Sequence, residues 1–273
     1  MRRLLLGIWL LHFAPDAFAW GLETHIFFAQ WVLAALPLAD RELRNACLRL
    51  PGLVLAGACL PDLALAGKVL GTPAFCRAHH WATLKRMAAA PRSDTDRALA
   101  VGYASHLVAD VIAHNQFVPE HESRIARVRH VTHAIAEFAM DHHVRPGLIA
   151  SPGGALAGAR ASAIDFAARV FPCGEALAAR GIDWLTRADN TLRASPVPKL
   201  CRRTLDFFYR DPAYRFERYI DAVKRELVAL EPALAGRFVD WVSLDAEGRG
   251  RDAGAERSAG QHVARIVQAK HDA

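Results

Sequence analysis

Residues 105–117, Ser-His-Leu-Val-Ala-Asp-Val-Ile-Ala-His-Asn-Gln-Phe, place His106, Asp110 and His114 at i, i+4 and i+8. On an α-helix successive members of that series are offset by about 40°, so all three line one face. Leu107, Val108, Val111 and Ile112 fall elsewhere on the circumference, where they can enter a core while the polar stripe faces a cavity. A helix this apolar is expected to be central, and three ionisable groups on one stripe of a central helix ask for a partner other than water.

Residues 130–143, His-Val-Thr-His-Ala-Ile-Ala-Glu-Phe-Ala-Met-Asp-His-His, repeat the arrangement with His133 and Glu137 at i and i+4 and Asp141 one turn beyond. The two segments are expected to form an antiparallel helical hairpin turning near Val118–Ser123. Nine of the 13 histidines lie between His79 and His143. Neutral imidazole is the commonest nitrogen ligand of zinc and carboxylates supply further positions, so this density points to metal coordination. His25, Asp62 and the pair His79-His80 before Trp81 are weaker candidates taken singly. His121, His142 and His143 read as surface or supporting histidines.

The rest of the chain has the same helical character. From Trp20 to about Ser243, Ala-, Leu- and Val-rich segments alternate with punctuations at Pro51-Gly52, Gly71-Thr72-Pro73, Pro91, Ser151-Pro152-Gly153-Gly154 and Pro196, with almost no strand signatures. Helices are predicted near 21–36, 40–50, 52–67, 78–90, 93–117, 121–145, 155–171, 173–186, 197–209 and 212–242. The fold class is all-α, a single multi-helix domain over residues 20–244. Residues 148–160 are expected to be a loop, and residues 245–273, charged and rich in Gly and Ala, a mobile tail.

With 52% hydrophobic residues the chain can bury a large core, which excludes disorder, collagen and coiled-coil arrays as its main character. The excess of 34 basic over 28 acidic residues, +6 at pH 7, is spread along the sequence and favours anionic partners only weakly. Residues 1–19 read as a secretory signal: Arg2 and Arg3, the apolar Leu4–Phe13, then Ala17-Phe18-Ala19 as cleavage site. Cleavage would leave Trp20 as the first residue of a secreted or periplasmic protein, and no later stretch is expected to reach the length and apolarity of a membrane helix. The five cysteines lack CxxC spacing; the pairings nearest in sequence are Cys47 with Cys59 and Cys173 with Cys201, against free buried thiols.

Taken together, Trp20-Gly21-Leu22-Glu23-Thr24-His25, Asp62, His80-Trp81, His106-xxx-Asp110 and His133-xxx-Glu137 resemble the zinc-dependent phospholipase C family, whose superfamily includes single-strand-specific nucleases. The resemblance spans about Trp20 to Arg145 and implies an α-helical domain around two to three zinc ions. It implies that Trp20 chelates one zinc through its α-amino nitrogen and carbonyl oxygen, with His25 and Asp110. Asp110 would bridge to a second zinc held by Asp62, His80 and His106, His80 being preferred to His79 because the family's ligand precedes an aromatic residue. His114, His133 and Glu137 would hold the third.

The four-residue step from Asp110 to His114 departs from the bacillary enzymes and is similar to glycosylphosphatidylinositol-specific phospholipase D. The implied activity is phosphodiester hydrolysis by a hydroxide shared between zincs, with Asp62 and Asp110 as the catalytic carboxylates and a phospholipid as substrate, met by peripheral membrane contact. A nuclease or nucleotidase, or an exported zinc binder without activity, are the alternatives. Di-iron bundles fit less well because they use Glu-xx-His pairs.

Overall fold

The computed structural model describes residues 21–89, 91, 93–125 and 129–235, apart from the side chains of 122–130, and every regular element among them is helical. The signal segment, Trp20 and the expected tail at 245–273 lie outside the described residues.

The centre of the fold is α6 (Asp94–Ile112), and α1 (Leu22–Ala35), α2 (Arg41–Arg49), α3 (Pro51–Gly57) and α5 (Trp81–Ala89) pack around it. Every residue of α6 from Ala98 to Ile112 is buried. A helix covered on all sides has no apolar stripe to orient it, so its position is fixed by how closely its neighbours approach. Ser93 starts it, its hydroxyl accepting the Asp96 N–H.

The closest approach is to α3, through a pair of glycines. A Cβ added to Gly102 would lie 1.9 Å from the Val54 carbonyl oxygen, and one on Gly57 2.2 Å from that of Leu99. The two backbones therefore touch, and any side chain at either position would force them apart. This crossing sets the end of α3 beside the next turn of α6, the turn that carries His106. A one-turn 3₁₀ segment, Leu60–Asp62, and α4 (Leu63–Leu70) follow.

Residues Pro51–Leu70 form one near-continuous apolar run with mean hydropathy 1.7, long enough to cross a membrane, which corrects the expectation that no such stretch follows the signal. Of that run 78% is buried inside the fold, as befits a core helix.

Beyond α6 the chain makes a π-helical turn, Ala113–Phe117, then α7 (Val118–Ile125) and α8 (Arg129–Val144). The reversal expected near Val118–Ser123 is thus helical. The wide turn frees a carbonyl, and the Asn115 side chain donates to the Val111 oxygen at 2.8 Å.

After α8 come α9 (Pro152–Gly158), α10 (Arg160–Val170), α11 (Glu175–Arg193), α12 (Val197–Phe208), α13 (Pro212–Leu227) and α14 (Leu230–Leu234). The stretch expected to be a loop at 148–160 is half helix. Ser151 accepts the Gly154 N–H and Pro152 occupies the first helical position, where its missing N–H costs nothing. α12 lies along α8, burying Val197, Cys201 and Leu205. All five cysteines are free thiols, so neither sequence-suggested pairing forms.

Candidate metal centre

Five donors converge where α1, the Leu60–Asp62 turn, the segment before α5, and α6 meet. His106 and Asp110 come from α6, with His106 Nε2 3.0 Å from Asp110 Oδ2. His25 of α1 lays its ring on that of His106, the centroids 3.5 Å apart and the planes 12° from parallel, and sets Nε2 3.4 Å from Asp110 Oδ1. His79 Nε2 lies 3.2 Å from His106 Nε2, 3.5 Å from Asp62 Oδ1 and 3.6 Å from Asp110 Oδ2. All five are at most 4% exposed.

The donor atoms form two groups, His25–His106–Asp110 and Asp62–His79–His106, and within each they lie within 4.8 Å of one another. His106 belongs to both groups, and Asp110 of the first reaches toward the second, Oδ1 facing His25 and Oδ2 facing His79 and His106.

The orientation of His106 follows from the glycine crossing. Its Nδ1 lies 2.8 Å from the Ala58 carbonyl oxygen. A carbonyl only accepts, so Nδ1 carries the proton and Nε2 keeps its lone pair for the cluster. Burial opposes a charged His106 imidazole, but Asp110 and Asp62 outweigh it and hold its pKa above the usual value.

Asp62 Oδ2 and Asp110 Oδ1 are fully buried and accept no hydrogen bond. Carboxylate oxygens left in this condition are costly. A divalent cation among imidazole nitrogens and carboxylate oxygens supplies the missing positive charge, so the donor set fits zinc.

A second, looser group stands across α8. His133 Nε2 and Glu137 Oε1 are 2.6 Å apart, with Glu137 wholly buried and the His133 side chain 16% exposed. The His114 ring, carried past the axis of α6 by the π turn, lies 5.7 Å from that of His133. Burial raises Glu137 to about 7, against the lowering effect of His133 and with Asp110 and Asp62 adding to the rise. His114 is pushed well below the usual imidazole value by burial and then by His133, His79 and His106. Glu137 and His114 thus sit in the electrostatic field of the five-donor cluster.

Of the residues singled out in the sequence, His25, Asp62, His106 and Asp110 come together, and His114, His133 and Glu137 stand beside them. His80 does not: it is exposed, and its carbonyl accepts the Thr83 N–H at the start of α5. His79 occupies the place assigned to it. The sequence reading began α5 at residue 78 instead of Trp81, which hid His80's position at the outer start of the helix. Tyr103 fixes the inward turn by donating its hydroxyl to the Ala78 carbonyl.

Trp20 lies outside the described residues, but the head of α1 beside it is tightly held. Asp141 of α8 accepts the Thr24 N–H at 2.9 Å and the Thr24 hydroxyl at 2.6 Å, capping α1 from another helix. A Cβ on Gly21 would meet the same carboxylate at 2.0 Å. Asp141 is therefore a cap for α1 and lies off the metal-facing stripe of α8. Its pKa is raised well above the usual range by burial, with the Glu23 charge adding to the rise.

Glu23 is buried between Arg145 and Arg193, the nearest contact to each being 2.8 Å and 2.9 Å. His121 is a core histidine, its Nδ1 2.7 Å from the Phe117 carbonyl oxygen and its ring beside Phe117 and Tyr209. His143 contacts Glu217 and Arg202 at the surface.

An all-helical domain with a buried, overlapping pair of histidine–carboxylate groups is one whose donors could hold metal. Residues 24–157 match the family model for zinc dependent phospholipase C, which supports the resemblance read from the sequence. All the described donors named above fall inside the match. Comparisons with curated proteins and with solved structures give no match.

Proposed function

We propose that the chain is a secreted or periplasmic zinc-dependent phosphodiesterase that hydrolyses phospholipids. The observation that carries this reading is the placement of one buried carboxylate, Asp110, with Oδ1 facing His25 and Oδ2 facing His79 and His106, among donors from four separate parts of the chain. Pairs of metal ions held by a common carboxylate recur where both the attacking and the departing oxygen of a phosphoester need stabilisation.

His25 and Asp110 would hold one ion, Asp62, His79, His106 and Asp110 a second, and His114, His133 and Glu137 a third. Zinc bound there would supply Lewis acidity, making water nucleophilic near neutral pH and offsetting charge on the phosphoryl oxygens. The chain's own part is orientation and proton handling. Ala58 holds the His106 tautomer, and the near-complete burial of the five donors keeps bulk water from screening them. Asp62 Oδ2, buried with no donor of its own, is the atom placed to take a proton.

Trp20, freed by cleavage after Ala19, would complete the first site through its α-amino nitrogen and carbonyl. The support is the anchored backbone at Gly21–Thr24, one turn from His25. An amide nitrogen has no lone pair to give, so export and activation would coincide.

Metal analysis of the cleaved protein with a panel of phosphatidylcholine, single-stranded DNA and a nucleotide tests the reading. Two or three zinc ions with turnover of the phospholipid are expected. Zinc without turnover of any ester would make the protein a metal carrier, and preference for DNA would make it a nuclease. A variant retaining a residue before Trp20 should be weakened at the His25 site; full activity and metal content in it would overturn the amino-terminal chelation.

A further inference from the structure

Among the described residues, none packs on the outer face of α12 around Leu200 and Phe207. Its inner face is buried against α8, the helix of His133 and Glu137. On the outside Leu200, Arg203 and Phe207 stand at i, i+3 and i+7, and Phe207 is 85% exposed, the most exposed large apolar side chain among the described residues. Phe208 packs edge-to-face on it with centroids 5.4 Å apart, so the helix ends in a paired aromatic ridge.

The charges around this ridge are one-sided. Asp206 is engaged by Arg202 at 2.9 Å, and Asp211 caps α13 by accepting the Tyr214 N–H. Lys199, Arg203 and Arg210 are exposed and form no ion pair among the described residues. Apolar side chains projecting among free cations match a surface that is anionic at its top and hydrocarbon beneath.

We propose that this face of α12 docks the protein on an anionic phospholipid surface, Phe207 and Phe208 entering the interfacial layer and Lys199, Arg203 and Arg210 meeting phosphate headgroups. The choice of a lipid over a protein partner rests on the phospholipase reading above. Because α12 lies along α8, docking here would bring the bilayer to the flank of the metal-bearing helix.

Vesicle sedimentation of the zinc-loaded full protein tests this, on phosphatidylcholine alone and mixed with phosphatidylglycerol. Binding to the mixed vesicles is expected, and the triple variant Leu200→Ser, Phe207→Ser, Phe208→Ser should weaken it at least about ten-fold. The variant Lys199→Gln, Arg203→Gln, Arg210→Gln should lose the preference for phosphatidylglycerol. Turnover of a soluble short-chain phosphodiester should be unchanged in both, since neither touches a donor. Failure of the unaltered protein to turn over that soluble ester would sink the phosphodiesterase reading, whereas docking is read from sedimentation alone. The proposal is overturned if the unaltered protein does not sediment with vesicles, if the triple variant sediments equally well, or if the face proves to hold a dimer that Phe207→Ser dissociates.

Discussion

The five donors around His106 and the three around His133 are held in different ways. The first group draws on four parts of the chain, lies at most 4% exposed, and has carboxylate oxygens that accept no hydrogen bond. The second is reached by two neighbouring helices, its His133 edge partly open, with its carboxylate already 2.6 Å from a histidine nitrogen. A buried set of donors assembled from distant segments costs folding energy when empty and is satisfied by cations. Carboxylate oxygens that accept no hydrogen bond occur in both, on Asp62 and Asp110 in the first group and on Glu137 in the second. The difference teaches that tertiary packing assembles the first group, whereas in the second, its flank, His133 and Glu137 are brought together by spacing within α8.

Substitution at the shared carboxylate would break the comparison most severely. Asp110→Asn should lose both ions of the first group together and lower phosphodiester turnover on the order of 10³-fold, read by metal analysis beside kinetics. Loss of only one ion would show that the two groups do not share it. Glu137→Gln probes the flank: one ion is expected to go, with its affinity reduced at least about 10-fold, while the ions at His25 and Asp62 remain. Simultaneous loss of all metal would merge the two regions into one unit.

The next test addresses how α8 and α1 are joined. Gly21→Ala places a methyl against Asp141 and should lower stability by about 1–3 kcal/mol in thermal unfolding. Its metal loss should fall on the His25 site and spare Glu137.

The last test concerns Asp189, outside both groups, which accepts the Gly153 N–H at 3.1 Å. Burial raises its folded pKa from the ordinary 3.8 to about 6. Between those values the folded chain binds more protons than the unfolded one, so stability falls as pH rises through the window and the cost is complete above it. Asp189→Asn keeps an acceptor and should flatten that part of the stability–pH curve, by on the order of 3 kcal/mol at most. An unchanged slope would assign the titration to other groups.

Local periodicity made the helices and two of the candidate donor pairs legible. An i, i+4 spacing fixes two side chains on one face whatever surrounds them, so His106–Asp110 and His133–Glu137 could be read directly. His114 could not be placed in the same way, because the π turn at Ala113–Phe117 interrupts the α-helical count. Nor could Asp141 be told from a member of the stripe, since its distance from Thr24 depends on how α1 meets α8.

The sequence by itself determined that the chain is helical and which residue types could bind metal, because both follow from spacing within a turn or two. Tertiary structure alone decided that His79 and not His80 turns inward, and that the two oxygens of Asp110 face different histidines. It also decided that the Ala58 carbonyl selects the tautomer of His106. The last of these depends on the contact of Gly57 with the backbone of α6 and of Gly102 with that of α3, a packing of segments some 45 residues apart. A spacing rule within one helix carries no information about that distance.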